Sequence, residues 1–338
     1  MVGRYLAIIV AVMWAGLAPA LEGVPPAFWF ADGSPAEDGS YSFSSDMEGG
    51  WASSYSGGEA VRAMKADRYI SVPLSVRYGF LRGWELYGVV PYFRGSSKQE
   101  FVNSAVAGTP ETYRKTLSGG DFGDMATVVR WAFWEDDSRD SLVCLHLGGR
   151  FATGTNPWQY SQNNFLTGLN PPRLSFGDGA GGGVMAGLQY ISGELFRRID
   201  VMAGYIHNLP FRATAMEPFG SEITVTPPSV LAVRAAISDL ISGSWWAGLD
   251  VDGFWSPAGS ISASGYLGQS GGALEKMLDS YMNLVERSGG LWMGASTGVA
   301  MTTDTAVGIG FKVPVLATGE YRFWRADIRL TYAAAMPK

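Results

Sequence analysis

The chain has 338 residues and a formal net charge of −6 at pH 7, and no stretch of it is rich in lysine and arginine. This composition argues against nucleic acid as a partner, because a binding surface would need a series of cations to neutralise successive phosphates. Charged residues make up only 17% of the chain, which also contains 45 glycines and 13% aromatic residues, an unusual balance for a soluble domain. The single cysteine, Cys144, excludes an intrachain disulfide framework.

Residues 1–20 have the pattern of a secretory signal peptide. Arg4 precedes an apolar stretch at 6–17, and the small residues at 18–20 follow as a cleavage pattern. The apolar stretch is too short to span a membrane, and no later window reaches the roughly 18 uninterrupted apolar residues that a transmembrane helix needs. We therefore expect a protein that is exported through a bacterial inner membrane and has no membrane-spanning helix.

Residues 21–40, at the start of the expected mature chain, do not fit a regular strand. They contain two consecutive prolines, Pro25 and Pro26, and the aromatic run at 28–30. Two interpretations stay open for this segment. It is either a periplasmic tail or a plug that docks inside the rest of the protein.

The remainder of the chain alternates between apolar and polar residues with a period of two, which predicts β-strands. Each predicted strand is close to the roughly 9 to 11 residues that a tilted strand needs to cross a bilayer. No helical period competes with the alternation in these segments. The twelve segments, of which the first is the weakest, cover residues 40–47, 69–80, 84–96, 122–134, 141–152, 180–191, 196–211, 228–241, 245–256, 290–301, 306–316 and 321–333.

The connections between the predicted strands alternate in length, with the last hairpin, at 317–320, as the exception. Tight turns are predicted at 81–83, 135–140, 192–195, 242–244 and 302–305, and long loops at 48–68, 97–121, 153–179, 212–227 and 257–289. Short turns on one rim and long loops on the other are typical of outer-membrane β-barrels, and a soluble sandwich would show no such preference. We predict an antiparallel up-and-down barrel of twelve strands over residues 40–333, with both termini on the periplasmic side and a C-terminal tail at 334–338.

The stretch SVPLSVRYGF, residues 71–80, indicates which face of such a wall meets lipid. Val72, Leu74 and Val76 share one face, and Arg77 lies on the other. In lipid every backbone donor and acceptor needs a partner, so the sheet is expected to close, with apolar side chains outside and charged ones inside. The inner charges either brace a narrow barrel as ion pairs or line an open lumen. The lumen-lining candidates are Arg77, Glu85, Arg130, His146, Arg150, Asp200, Arg234, Asp250, Asp252, Lys312, Arg325, Asp327 and Arg329.

The long loops contain a second group of candidate residues. In residues 273–288 the apolar positions follow a helical period, which predicts one short helix inside an extracellular loop. Aromatic and methionine side chains of these loops are expected to form an apolar vestibule at the mouth of the barrel. The vestibule candidates are Trp158, Tyr160, Phe165, Met277 and Tyr281, together with Phe101 and Tyr113.

Four segments follow one another in an order and spacing that resembles a known family. They are YGFLRGWELYGVVPY at 78–92, GGDFGDMATVVRWAF at 119–133, HLGGRFATGTN at 146–156 and GDGAGGGVMAGLQY at 177–190. Together they resemble the "MetA-pathway of phenol degradation" outer-membrane proteins, which look like distant relatives of the long-chain fatty-acid and aromatic-hydrocarbon channels. The resemblance implies an outer-membrane channel for passive uptake of small hydrophobic or aromatic compounds. Its expected partners are membrane lipid and the solute, its expected state is a monomer, and it carries no catalytic residues.

Two other functions stay open. A structural or adhesive barrel whose extracellular loops bind a partner would show the same strand pattern. An enzyme would need a base, for which the chain offers only His146 and His207. His146 and Cys144 share one strand face at about 6 to 7 Å, from a rise of about 3.3 Å per residue. A structural histidine is therefore favoured over a catalytic Cys–His pair.

Neither a metal nor a cofactor is expected. Two histidines and one cysteine give no metal-ligand spacing. The glycine pattern at 177–182 fits a dinucleotide fingerprint only in letters, because that fingerprint requires a helix to follow and an alternating strand follows here.

Overall fold

The computed structural model describes residues 35–57, 61–103, 111–138, 140–154, 182–194, 197–214, 222–257, 259–264, 288–301, 305–317 and 324–335. No helix in this part of the chain is long and apolar enough to cross a membrane. Several predicted features lie outside the described residues: the signal peptide at 1–20, residues 273–287 of the predicted helix, and the vestibule residues Trp158, Tyr160, Phe165, Met277 and Tyr281. The last residue of that predicted helix, Ser288, instead begins a strand.

The described residues form sixteen β-strands. In order they are β1 (Ser40–Gly57), β2 (Val61–Leu81), β3 (Trp84–Asn103), β4 (Glu111–Phe122), β5 (Met125–Glu135), β6 (Ser141–Phe151), β7 (Gly183–Glu194), β8 (Arg197–Asn208), β9 (Phe211–Thr214), β10 (Glu222–Thr226), β11 (Val230–Ser242), β12 (Trp245–Ser256), β13 (Ser260–Ser264), β14 (Ser288–Ala300), β15 (Thr305–Ala317) and β16 (Trp324–Ala335). The strand β16 ends two residues beyond the predicted end at 333.

Antiparallel pairing closes thirteen of these strands into a barrel wall. Moving along the chain, the wall strands pair in the order β1, β2, β3, then β4 and β5, then β6, β7, β8, β11, β12, β14, β15 and β16. The last strand returns to the first, with Ser40 opposite Ala335 and Trp51 opposite Trp324. Closure gives each of these strands except β4, which pairs with β3 alone among the described strands, a neighbour on both sides. The predicted all-β antiparallel barrel is confirmed.

The strands β4 and β5 together form one interrupted strand, so the wall has the predicted twelve. The strand β3 pairs with β5 over Trp84–Val89 and with β4 over Tyr92–Asn103. Between the two pairings, the Gly123 N–H donates to the Pro91 carbonyl oxygen at 2.8 Å. Because Pro91 has no N–H of its own, the ladder lacks a donor at this level, and the wall strand is irregular at residues 123–124.

Tight turns join the strands at one rim. Gly83 and Gly243, in the turns after β2 and β11, have φ values of 75° and 55°. This left-handed region favours glycine because a Cβ would clash there. Register shifts lie beside three of these turns, at the ends of the β2–β3, β5–β6 and β11–β12 ladders. Such bulges increase the local twist and are common at barrel rims.

The strands at the opposite rim are longer than the sequence predicted. Residues 48–57 and 61–68, expected in one loop, instead extend β1 and β2. Residues 97–103 and 111–121, expected in another loop, extend β3 and form most of β4. We call the four-stranded sheet beyond Trp51 the outer arm. The loop prediction was wrong here because a strand outside the bilayer meets polar surroundings on both faces, so it shows no apolar alternation.

A second sheet stands at the same rim. It pairs β10 with β9 on one side and with β13 on the other. These three strands lie where the sequence predicted the loops 212–227 and 257–289. They directly follow or precede the wall strands β8, β11 and β12, which places them outside the barrel on the side away from the tight turns.

Apolar side chains are exposed over the outer wall. Ile237 and Leu249, which face each other across β11 and β12, are 52% and 64% exposed. Trp245 and Trp255 also point outward, ten residues apart on β12. At about 3.3 Å per residue and a tilt of about 40° they are roughly 25 Å apart in height, the span of the apolar band between two aromatic girdles. A soluble monomer does not expose such a surface.

Candidate functional site

The inner face of β2, β3 and β5 contains a buried ion cluster centred on Glu85. Arg77 Nε and Nη2 donate to Glu85 Oε2 at 3.0 and 2.9 Å, and Arg130 Nη2 donates to the same oxygen at 3.0 Å. The side chains of Glu85 and Arg130 have no exposed surface, and that of Arg77 retains 12%. The register places Glu85 directly opposite Arg130. Two guanidinium groups therefore supply the counter-charge that a buried carboxylate requires.

A hydrogen-bond chain extends this cluster along β5 to β8. Arg130 Nη1 donates to Gln189 Oε1 at 3.3 Å, and Gln189 Nε2 donates to Asp200 Oδ1 at 2.9 Å. Since the carboxylate only accepts, the amide orientation is fixed, and His146 Nε2 donates to Gln189 Oε1 at 2.9 Å. His146 Nδ1 then accepts from the Tyr87 hydroxyl at 3.1 Å. Both ring nitrogens of this histidine are engaged in bracing the wall.

A second ion cluster occupies the other half of the wall, on β11, β12 and β15. Lys312 Nζ lies 2.7 Å from Asp250 Oδ2 and donates to Asp252 Oδ2. Arg234 Nε lies 3.8 Å from Asp252 Oδ1. Lys312 reaches the aspartates across β14 at Gly294, where a Cβ would lie 2.5 Å from its Cγ. The glycine therefore opens the path that lets this ion pair form across an intervening strand.

A third cluster lies at the rim of the long connections. Arg150 Nη1 lies 3.2 Å from Asp124 Oδ2, and Arg150 Nη2 donates to Asn208 Oδ1 at 2.8 Å. The Gly154 N–H donates to Asp124 Oδ1 at 2.9 Å. These contacts tie the irregular point between β4 and β5 to the ends of β6 and β8.

The inner wall between the ion clusters and this rim is largely apolar. The rings of Phe254 and Trp292 stack there, with centroids 6.0 Å apart and planes inclined by 12°. Other buried inner residues at this level are Val89, Val128, Met185 and Ile206. From the long-loop rim inward, the order along the inner wall is therefore the third cluster, these apolar residues, and then the first two clusters.

The chain that precedes β1 lies against the inner face of β2 and β3. The Ala36 N–H donates to Glu85 Oε2 at 2.6 Å. A Cβ on Gly79 would lie 2.5 Å from the Ala36 carbonyl oxygen and closer still to that of Glu37. Gly79 thus provides the room in which residues 35–39 run along the inside of the wall. Of the predicted plug or tail, residues 21–34 lie outside the described part of the chain, and its overall role stays a prediction.

The clusters contain most of the predicted lumen-lining residues. The structure places Arg77, Glu85, Arg130, His146, Asp200, Arg234, Asp250, Asp252 and Lys312 in the first two clusters, and Arg150 in the third. The register places Arg325, Asp327 and Arg329 on the inner face of β16, but their side chains are not among those described. Sequence reasoning missed Tyr87, Gln189, Asp124 and Asn208. Tyr87 lies two residues from the predicted Glu85 on the inner face of β3, whereas Gln189 lies on β7, which contains no predicted candidate. Both side chains are uncharged, and the candidates were selected mainly by charge.

No family model matches the chain. No curated protein matches it. Among solved structures, the COG4313 outer membrane channel from Pseudomonas putida F1 is similar over 92% of this chain and 100% of that chain, with a TM-score of 0.57 and 9% sequence identity. The chain has the fold of an outer-membrane channel.

The resemblance inferred from the sequence, to outer-membrane channel proteins, is thereby confirmed at the level of the fold. Two further solved structures match this channel fold more weakly. The NanC porin matches with a TM-score of 0.36 at 12% identity, over 87% of this chain and 100% of that chain. A Pseudomonas aeruginosa FadL homologue matches with a TM-score of 0.35 at 7% identity, over 88% of this chain and 90% of that chain. These scores are too low to add to the fold assignment.

Proposed function

We propose that the chain is a bacterial outer-membrane channel for the passive uptake of small hydrophobic or aromatic compounds. The observation that carries the proposal is the polarity of the closed wall, which is apolar outside and ion-paired inside. An exposed apolar band of membrane height requires lipid around it, and closed pairing leaves the wall without polar edges. A path through a membrane barrel requires a wall that presents apolar side chains to the lipid and polar side chains to the interior.

The dimensions and lining of the barrel support a small solute. Twelve strands spaced about 4.8 Å apart and tilted by about 40° give a backbone radius of about 12 Å, from which the inner side chains subtract. The inner wall near the long-loop rim is built from buried apolar residues such as Met185, Ile206 and Trp292, and we expect a solute that passes it to be apolar or aromatic rather than strongly charged. The charged clusters below them brace a narrow path.

We infer a transport role rather than catalysis. His146, one of the two candidate bases, has no exposed surface, and its ring nitrogens are hydrogen-bonded to Tyr87 and Gln189. The other, His207, is exposed and is hydrogen-bonded through Nδ1 to the Ser229 hydroxyl at 3.1 Å. Cys144, on the same strand as His146, is buried with no disulfide partner. A base needs a reachable proton acceptor beside the substrate, which the arrangement around His146 does not offer.

Uptake of a labelled, phenol-sized aromatic compound tests the proposal. Cells that produce the chain are expected to take up the compound faster than cells without it, with a rate proportional to its external concentration. Met185→Trp, which adds bulk to the buried inner wall, should slow uptake several-fold. Val184→Trp is the matched control, because Val184 is adjacent to Met185 on β7 and its side chain is 53% exposed on the outer face. Equal uptake with and without the chain would remove the transport proposal.

The outer arm favours a second candidate function, a barrel that binds a partner at the cell surface. Among the described strands, β4 pairs only with β3, over Glu111–Phe122, and β1 pairs only with β2 beyond Trp51. Free strand edges can add a strand from another chain. Shortening the outer arm should then abolish partner binding and leave uptake unchanged. If the barrel only transports solutes, the unshortened chain will bind no partner.

A further inference from the structure

The outer face of β2 to β4 changes from apolar to basic at one level. Val76 and Leu86, on the lower part of this face, are 54% and 41% exposed. Higher up, the rings of Tyr92 and Phe122 pack edge to face across β3 and β4, with centroids 5.3 Å apart. Trp51, exposed on β1, lies directly opposite Arg68 on β2, above this aromatic pair. Aromatic residues in membrane barrels mark the boundary between hydrocarbon and headgroups. The surface directly above them therefore lies at headgroup height.

Three exposed basic residues, Arg68, Arg94 and Lys98, lie at that height. Arg94 follows Tyr92 by two residues on β3 and so shares its outward face. Arg68 on β2 is opposite Ser96, midway between Arg94 and Lys98. Diagonal neighbours on adjacent strands are about 7 to 8 Å apart, so the three cations form one surface. We call these three residues the basic patch.

No acidic side chain within the described part of the molecule forms an ion pair with the basic patch. Glu100, the nearby acid on the same face, is bound by Arg114 at 3.0 and 3.2 Å. The patch therefore presents concentrated positive charge on a chain whose formal net charge is −6.

We propose that the basic patch binds the phosphate groups of an anionic lipid in the outer leaflet of the membrane. This inference rests on the proposed membrane location. A lipid whose acyl chains lie along the apolar face near Val76 and Leu86 would place its headgroup beside Arg94 and Arg68. Guanidinium groups bind phosphate oxygens in a bidentate manner, and Lys98 adds a mobile point charge. Continuity with the lipid-facing wall favours a lipid over a soluble anion, which would contact the cations alone.

Retention of lipid A by the purified mature chain tests this site. The chain is inserted into phosphatidylcholine vesicles that contain bisphosphorylated lipid A or its dephosphorylated form, extracted with detergent, and assayed for bound lipid. The variant Arg68→Gln/Arg94→Gln/Lys98→Gln should bind the phosphorylated lipid roughly a hundredfold more weakly, because each basic residue near an anionic surface contributes about fivefold in affinity. Both chains should bind the dephosphorylated lipid equally, and added salt should weaken only the phosphate-dependent binding.

The matched control is Arg82→Gln/Arg197→Gln, which removes two basic residues at the opposite rim with 70% and 77% exposed side chains. It should retain phosphorylated lipid A like the wild type. Equal retention by the patch variant and the wild type would overturn the site. Complete displacement by excess inorganic phosphate would assign the patch to a free anion and overturn the lipid assignment. Heat-modifiable mobility on a gel verifies that each variant is folded. Lipid retention does not require transport through the barrel. The uptake experiment can therefore fail without changing the interpretation of the lipid-retention result.

Discussion

Replacing Glu85 with glutamine is expected to lower the free energy of unfolding by about 3 to 5 kcal/mol, because it removes the carboxylate that two buried guanidinium groups share. Arg130 has no exposed surface, and Arg77 is 12% exposed, so neither guanidinium gains water when the carboxylate is lost. The Ala36 N–H loses its charged acceptor in the same substitution. The measurement is urea unfolding of the refolded barrel in lipid vesicles, followed by tryptophan fluorescence.

The control for this substitution is Glu135→Gln. Glu135 pairs with Arg82 at 3.2 Å beside a tight turn, with side chains 36% and 70% exposed. An exposed ion pair of this kind contributes at most about 1 kcal/mol, so the control should unfold almost like the wild type. Equal losses in the two variants would mean that the cluster around Glu85 is not a buried counter-charge site.

The substitutions Ile237→Arg and Ala236→Arg are expected to lower the free energy of unfolding by very different amounts, although the two positions are adjacent on β11. Ile237 is 52% exposed on the outer face opposite Leu249, and arginine near the midplane of that face costs about 2 to 4 kcal/mol. Ala236 lies on the inner face, opposite Asp250 on one side and Asp200 on the other. These carboxylates can pair with a new guanidinium, so Ala236→Arg should destabilise far less in the same unfolding assay.

Comparable losses from both arginine variants would contradict the assignment of inner and outer faces. A loss confined to Ala236→Arg would reverse it. The pair is informative because both variants add the same side chain at nearly the same height in the wall, so propensity and size effects largely cancel.

The wall strands could be predicted from the sequence because one face of each strand meets lipid and the other meets the interior of the barrel, so apolar and polar residues alternate. The strand β12 runs over Trp245–Ser256, as predicted, with lipid-facing residues such as Leu249 alternating with Asp250 and Asp252. The outer arm was missed for the converse reason. Beyond the bilayer both faces of β3 and β4 meet polar surroundings, as in residues 94–100, and the period of two disappears even though the backbone continues as a strand.

The charged residues of the inner face could also be predicted, since position parity along a strand gives the face. Their partners could not, because pairing depends on register and reach between strands. Lys312 contacts Asp250 only because Gly294 on the intervening strand has no side chain. Gly79 likewise accommodates residues 35–39, which precede it by about forty positions, and nothing local to Gly79 in the sequence indicates that contact.

Single-channel recording with one thiol on each face of β11 tests the central claim most directly. In a Cys144→Ser background, Ala236→Cys places the thiol inside the wall and Ile237→Cys places it in lipid. If the barrel encloses the transport path, a charged methanethiosulfonate reagent lowers the unitary current of Ala236→Cys and leaves that of Ile237→Cys unchanged. A folded, inserted protein without unitary currents, or an equal effect of the reagent on both variants, would contradict a channel through this barrel.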